Sequence, residues 1–147
     1  MKNASLIFLV MGIVLISSCK KTIETSTIRL NETVDTTSMG AMAAIAKYAG
    51  TFGNGAYGTV TGNAKIYLVN GRYSLALENF NTNNGPDLHV YLSKEVQPIN
   101  FIDLGKLKST NGNQVYEISG MPNFTEYKYA LIHCQQYNHL FGSAELK

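Results

Sequence analysis

The chain has 147 residues, with twelve Lys and Arg against ten Asp and Glu and a formal net charge of +2. That balance, without a basic patch, excludes the electrostatic footprint that nucleic acid demands. Nine tyrosines, six phenylalanines, thirteen glycines and only three prolines suit a tight-turned β fold better than a helical one.

The first residues follow the order of a secretory signal. Lys2 precedes eleven unbroken apolar residues, Leu6 to Ile16, and Ser17-Ser18 stand directly before Cys19. A spanning helix needs ~20 apolar residues, so this run is too short to cross a bilayer. Small residues before a cysteine resemble the bacterial lipobox, whose cysteine is acylated through its sulfur. The alternative is an ordinary signal peptide followed by an unrelated cysteine. The lipobox reading makes residues 1–18 a lipoprotein signal peptide and Cys19 the lipid-attachment site. The mature chain then belongs to the bacterial cell envelope, lipid-anchored on the periplasmic face or the cell surface. Each buried methylene contributes ~0.8 kcal/mol, and two or more acyl chains anchor stably.

The cysteines follow from this. There are two, Cys19 and Cys134. A thioether at Cys19 cannot form a disulfide, which isolates Cys134 as a lone thiol outside the cytoplasm.

Residues 20–38 are rich in Thr and Ser and lack a sustained period; they read as a tether. About twenty flexible residues span roughly 25 Å root-mean-square. Residues 39–48 are Ala- and Met-rich and suit a short helix or an extension of the tether. The tether thus covers 19–48 and the domain 49–147. From Lys65 to Leu77 the chain alternates around Asn70-Gly71, a two-residue hairpin turn. Pairing outward sets Leu68 opposite Tyr73, Ile66 opposite Leu75 and Ala64 opposite Leu77, all on the core face. Val69, Arg72, Tyr67, Ser74 and Lys65 form the wetter face. Asn83-Asn84-Gly85-Pro86-Asp87 is a turn, and Leu88 to Leu92 a strand. Phe101 to Leu107 reads as a short strand or irregular edge. Asn111-Gly112-Asn113 turns the chain into a strand from Gln114 to Ile118. Tyr127 to Cys134 is the longest apolar strand and is expected to be central, apolar on both faces. Leu140 to Leu146 closes the domain. Seven or eight short strands at this spacing predict an all-β antiparallel sandwich or barrel-like domain.

No nucleophile elbow, H-E-x-x-H, Walker loop or C-x-x-C is present. Gly53 to Gly58 matches G-x-G-x-x-G by letter, but a dinucleotide fingerprint needs a following helix. Thr59-Val60-Thr61 reads as strand instead. The carboxylates are scattered singly, so no glycosidase-type pair can be named. These absences lean away from catalysis by the chain itself. What remains is His133-Cys134, with His139 nearby and His89 upstream. On a strand, His133 and Cys134 face opposite sides. Cys134 shares the face of Ile132 and Ala130, which also suits a small buried hydrophobe. A cupredoxin-like copper site would combine His89, Cys134 and His139, although no Met follows His139 as axial ligand.

Phe80 to Ser93 and Ile132 to Leu146 resemble the DM13 domain. The signature is Gly85-Pro86-Asp87 entering a strand, then the late Cys134, Phe141-Gly142 and Ala144, within the hundred C-terminal residues. The resemblance implies a β-rich extracytoplasmic domain associated with electron transfer. It also implies a role for Cys134 as free thiol or as ligand to a prosthetic group such as haem. Two positions depart from the family pattern. Gly58 replaces a histidine common in its H-x-V-x-G segment, and His133 replaces an aromatic before the cysteine. The site candidates are therefore Cys134, with Asp87 and His133 as secondary candidates.

Two readings follow. One is a membrane-tethered redox accessory that serves an envelope redox protein through the Cys134 thiolate, with haem or no cofactor. The other is a non-catalytic binding module in which Cys134 is inert and exposed tyrosines such as Tyr67 carry the contact.

Overall fold

A computed structural model describes residues 24–34 and 45–147. Its strands are β1 (Leu30–Asn31), β2 (Ala46–Thr51), β3 (Gly53–Asn54), β4 (Val60–Val69), β5 (Arg72–Thr82), β6 (Leu88–Ser93), β7 (Phe101–Lys106), β8 (Asn111–Ile118), β9 (Tyr129–Cys134) and β10 (His139–Glu145). They form two five-stranded sheets, ordered β1-β8-β5-β4-β2 and β3-β10-β9-β6-β7. All pairings are antiparallel except β1 with β8. The all-β sandwich expected from strand spacing is therefore the observed architecture, and no helix occurs among the described residues.

The core lies between the sheets. Ala64, Ile66, Leu75 and Leu77 from the first sheet meet Val90, Leu92, Ala130, Ile132 and Phe141 from the second. The hairpin register is the one that Asn70-Gly71 dictates, with Leu68 opposite Tyr73, Ile66 opposite Leu75 and Ala64 opposite Leu77. Asn70 and Gly71 both have positive φ, 51° and 74°, as a turn matching strand twist requires. β9 is the middle strand of its sheet. One seam of the sandwich is closed: Ala49 and Lys147 exchange backbone hydrogen bonds of 3.0 Å, joining β2 to the chain beyond β10.

Two expectations need correction. The helix expected over 39–48 is a strand at its end, because Ala46-Lys47-Tyr48 begin β2; residues 39–44 lie outside the described residues. Tyr48 packs on Phe124 at 5.2 Å between ring centroids, so core packing overrides the helical propensity of alanine. The described part of the expected tether, 24–34, lies against the domain as a strap. Leu30 and Asn31 pair in parallel with Gly112 and Asn113. The Thr110 N–H donates to the Ser26 carbonyl at 2.8 Å, and the Glu32 N–H donates to the Asn113 carbonyl at 3.0 Å. The Glu32 carboxylate accepts from the Val115 N–H at 2.9 Å and pairs with Lys108 at 2.7 Å. Thr/Ser-rich composition reads as unstructured because these bonds run through backbone and leave no apolar period.

Gly112 makes the strap possible. Its φ is +101°, and a Cβ there would come within 2.0 Å of the Leu30 carbonyl oxygen. Gly112→Ala is expected to lift the strap and cost about 1–3 kcal/mol of stability. Hydrogen exchange checks it: the Glu32 and Thr110 amides should lose protection while the β9 amides keep theirs.

Candidate functional site

β6 and β9 lie side by side, with Leu88 opposite Cys134, His89 opposite His133 and Val90 opposite Ile132. Alternation sends these pairs to opposite faces of the sheet. Every residue of β6, and all of β9 after Tyr129, is buried. The sequence reading of a strand apolar on both sides holds, and His133 and Cys134 face apart as expected.

On the inner face, Cys134 is 1% exposed and belongs to the core with Leu88, Ile132 and Phe141. It is a free thiol. The packing around this end of the core is tight. A Cβ on Gly85 would fall 2.8 Å from both Leu88 and Phe141, and one on Gly142 would fall 2.5 Å from Val60. A prosthetic group would have to reach a sulfur that the core encloses at 1% exposure, so the residues around Cys134 do not fit the haem ligand that the resemblance implies.

The outer face carries the titratable cluster. His133 is 3% exposed and His89 is 7% exposed. Tyr91, Leu131 and Leu140 form a small second core around them. The Tyr91 ring lies 5.3 Å from His133 and 6.0 Å from His89, and Phe101 stacks on it at 4.3 Å. Burial, with the Asp103 charge, pushes the Tyr91 phenol up to about 12. His89 Nδ1 lies 3.0 and 3.1 Å from the two Asp103 carboxylate oxygens. Its Nε2 is 3.4 Å from Asp87 Oδ1, which Lys106 also approaches at 3.1 Å. Neither ring nitrogen of His133 has a partner in hydrogen-bond geometry. Burial pushes its pKa down; the nearby Asn138 side chain opposes this, and His139 and His89 add to it.

The turn after β9 covers this end. Gln135, Gln136, Tyr137 and Asn138 are all exposed, and the Gln135 N–H donates to the Asp87 carbonyl at 2.9 Å. His139 stacks face to face on Tyr57 at 3.6 Å. The copper arrangement of His89, Cys134 and His139 is therefore overturned. His89 points outward, Cys134 points inward, and His139 is turned onto Tyr57. Among the described residues no three His, Cys, Asp or Glu side chains gather to hold a metal.

Asp87, His89 and His133 come together, while Cys134 lies behind them through the sheet. Asp103 and Tyr91 were not expected. Tyr91 is hidden in an apolar strand, and Asp103 reaches His89 from the edge strand β7. Their only trace in the sequence is the period-two spacing of His89 and Tyr91.

The family profile described as electron transfer DM13 matches residues 51–146. The chain belongs to the DM13 family. No curated protein and no solved structure matches it. The match covers β3 to β10 and leaves the strap outside. In this DM13 domain the signature residue Asp87 ties the Gly-Pro-Asp turn to Lys106, His89 and, through its carbonyl, the turn after Cys134.

His133 gives the domain a pH dependence. Burial depresses its folded pKa below the ordinary histidine value of 6.5, so the unfolded chain binds the proton more tightly. Stability is fully present above the unfolded pKa. It falls as pH drops through 6.5 and levels off below the folded value. Urea unfolding from pH 7.5 to 5 should show a falling midpoint in the native protein. In His133→Phe, which removes the proton and keeps an aromatic ring, that fall should be smaller.

Proposed function

We propose that this DM13 domain is lipid-anchored through Cys19 outside the cytoplasm and serves electron transfer as a non-catalytic module that binds an envelope redox protein. On this reading Cys134 is a core thiol, not the redox centre. The burial of Cys134 among Leu88, Ile132 and Phe141 carries that choice. A thiol needs its thiolate, and access, to react; an apolar wall denies it both. The electron-transfer association rests on the family, and the lipid anchor on the apolar run and Ser17-Ser18-Cys19.

A second reading keeps Cys134 as a redox thiol. It is supported by position: Cys134 is the last residue of β9, directly beneath the exposed turn at 135–138. Local opening of that turn would uncover the sulfur.

Thiol titration separates the two. Cys134 is expected to resist an aromatic disulfide reagent in the folded domain and to react fully in denaturant. Binding of the envelope redox protein should survive Cys134→Ala, at a stability cost of about 1–2 kcal/mol. Rapid labelling of the folded domain, with loss of electron transfer in Cys134→Ala, would establish the second reading.

A further inference from the structure

The strap begins at the same end of the sandwich as the family signature. Glu24 lines one cleft with Asp87 and Lys106, and a neighbouring cleft with Asn84, Gly85 and Pro86. The Asn84 side-chain amide donates to the Thr25 carbonyl at 3.3 Å. From there the strap runs parallel to β8, toward the opposite end of the domain. Only four residues separate Cys19 from Glu24, a span of five Cα steps. Fully extended, that length reaches at most about 18 Å. A lipid on Cys19 therefore holds one particular end of the domain close to the bilayer. A free tether would set the domain roughly 25 Å away in any orientation.

That end has the chemistry of a membrane interface. It carries Tyr57 and Tyr137, 55% and 56% exposed, flanking His139. Tyrosine, with an apolar ring and a polar tip, favours the headgroup level. Lys20 and Lys21 follow directly on Cys19, and basic residues beside a lipid anchor are attracted to an anionic surface. The other end of the sandwich is apolar as well, with Ile99 75% and Met121 76% exposed beside the Ser93–Phe101 pair at the start of β7, but it lies away from the point where the strap meets the domain.

We propose that the docked strap orients the domain so that the end formed by Tyr57, Gly85-Pro86-Asp87 and the 135–138 turn faces the lipid surface that anchors Cys19. The inference rests on the lipidation of Cys19 in the function proposed above. It confines a partner of this end to proteins in or on that same membrane.

The chain has no tryptophan, so one introduced tryptophan reports depth. Full-length lipidated protein carrying Tyr137→Trp or Met121→Trp is placed in phosphatidylcholine–phosphatidylglycerol vesicles with brominated acyl chains. Tyr137→Trp should shift to the blue and lose emission, and Met121→Trp should do neither. A twenty-residue Gly/Ser insertion between Ile23 and Glu24 should restore the Tyr137→Trp emission without unfolding the domain. Equal quenching at both ends, or none in vesicle-bound protein, overturns the orientation. Quenching that survives the insertion overturns the strap as its cause. Protein that fails to float with vesicles, and whose mature Cys19 has no acyl mass, overturns the anchor itself and the orientation with it.

Discussion

The two-sided burial of the β6–β9 pair governs what this domain can do. A strand covered on one face can place chemistry on the other, where water solvates charge. Here both faces are dry: the first sheet covers the inner face, and Tyr91, Leu131, Leu140 and Phe101 shelter the outer one. Strict alternation then assigns Cys134 to one dry compartment and His133 to the other. The neighbours in sequence cannot act on each other, although His-Cys reads as a nucleophile pair. An unpartnered buried imidazole costs about 1–3 kcal/mol, which the surrounding aromatic packing must offset. His89 differs in kind from His133. Its Asp103 partner reaches it from an edge strand that water can still approach.

Legibility in the sequence followed the locality of the forces. The β4–β5 register was readable because two residues with positive φ set it and the side-chain period carried it for ten residues. The central, doubly buried β9 was readable because an unbroken apolar run leaves few other places to go. β2 was misread as helix because alanine favours helix locally, whereas Tyr48 meeting Phe124 is a contact across the fold. The strap was misread for the same reason, since its bonds are to Gly112, Asn113 and Val115, far along the chain. Within the site, Cys134 was correctly placed facing the core. The Asp103–His89 contact was invisible because it needs the β6–β7 pairing and its irregularity between His89 and Tyr91.

The family signature takes on a structural meaning in this light. Gly85 leaves no room for a Cβ between Leu88 and Phe141. Phe141 is itself a signature residue, so the two close the core together. Ala144 is buried opposite Ala130, two small side chains paired within the core. Asp87 fastens the turn after Cys134 by its carbonyl and holds Lys106 by its carboxylate. Gly85, Asp87 and Phe141 build one end of the sandwich around the cysteine, and Ala144 packs farther along β9. Their joint occurrence follows from packing there, whether or not the thiol ever reacts.

Exposed sheet edges explain why the strap belongs to the fold. A sandwich of two five-stranded sheets has four edges, each a template for unwanted pairing. β2 is covered by its bonds to Lys147, and β3 is only two residues long. β7 is irregular and carries Asp103, Gly105 and Lys106, which discourage another strand. β8 lacks such protection. Its outer edge runs eight residues, from Asn111 to Ile118, and carries one charge, Glu117. Without residues 24–34 it would be the edge most open to another chain. Covering it with a segment of the same chain is entropically cheap, because the strap is already tethered beside its site. The residues that protect the edge also follow closely on Cys19, the lipid site proposed above. On that proposal, guarding β8 and fixing the domain's attitude to the membrane become one constraint, set where Gly112 admits the backbone of Leu30.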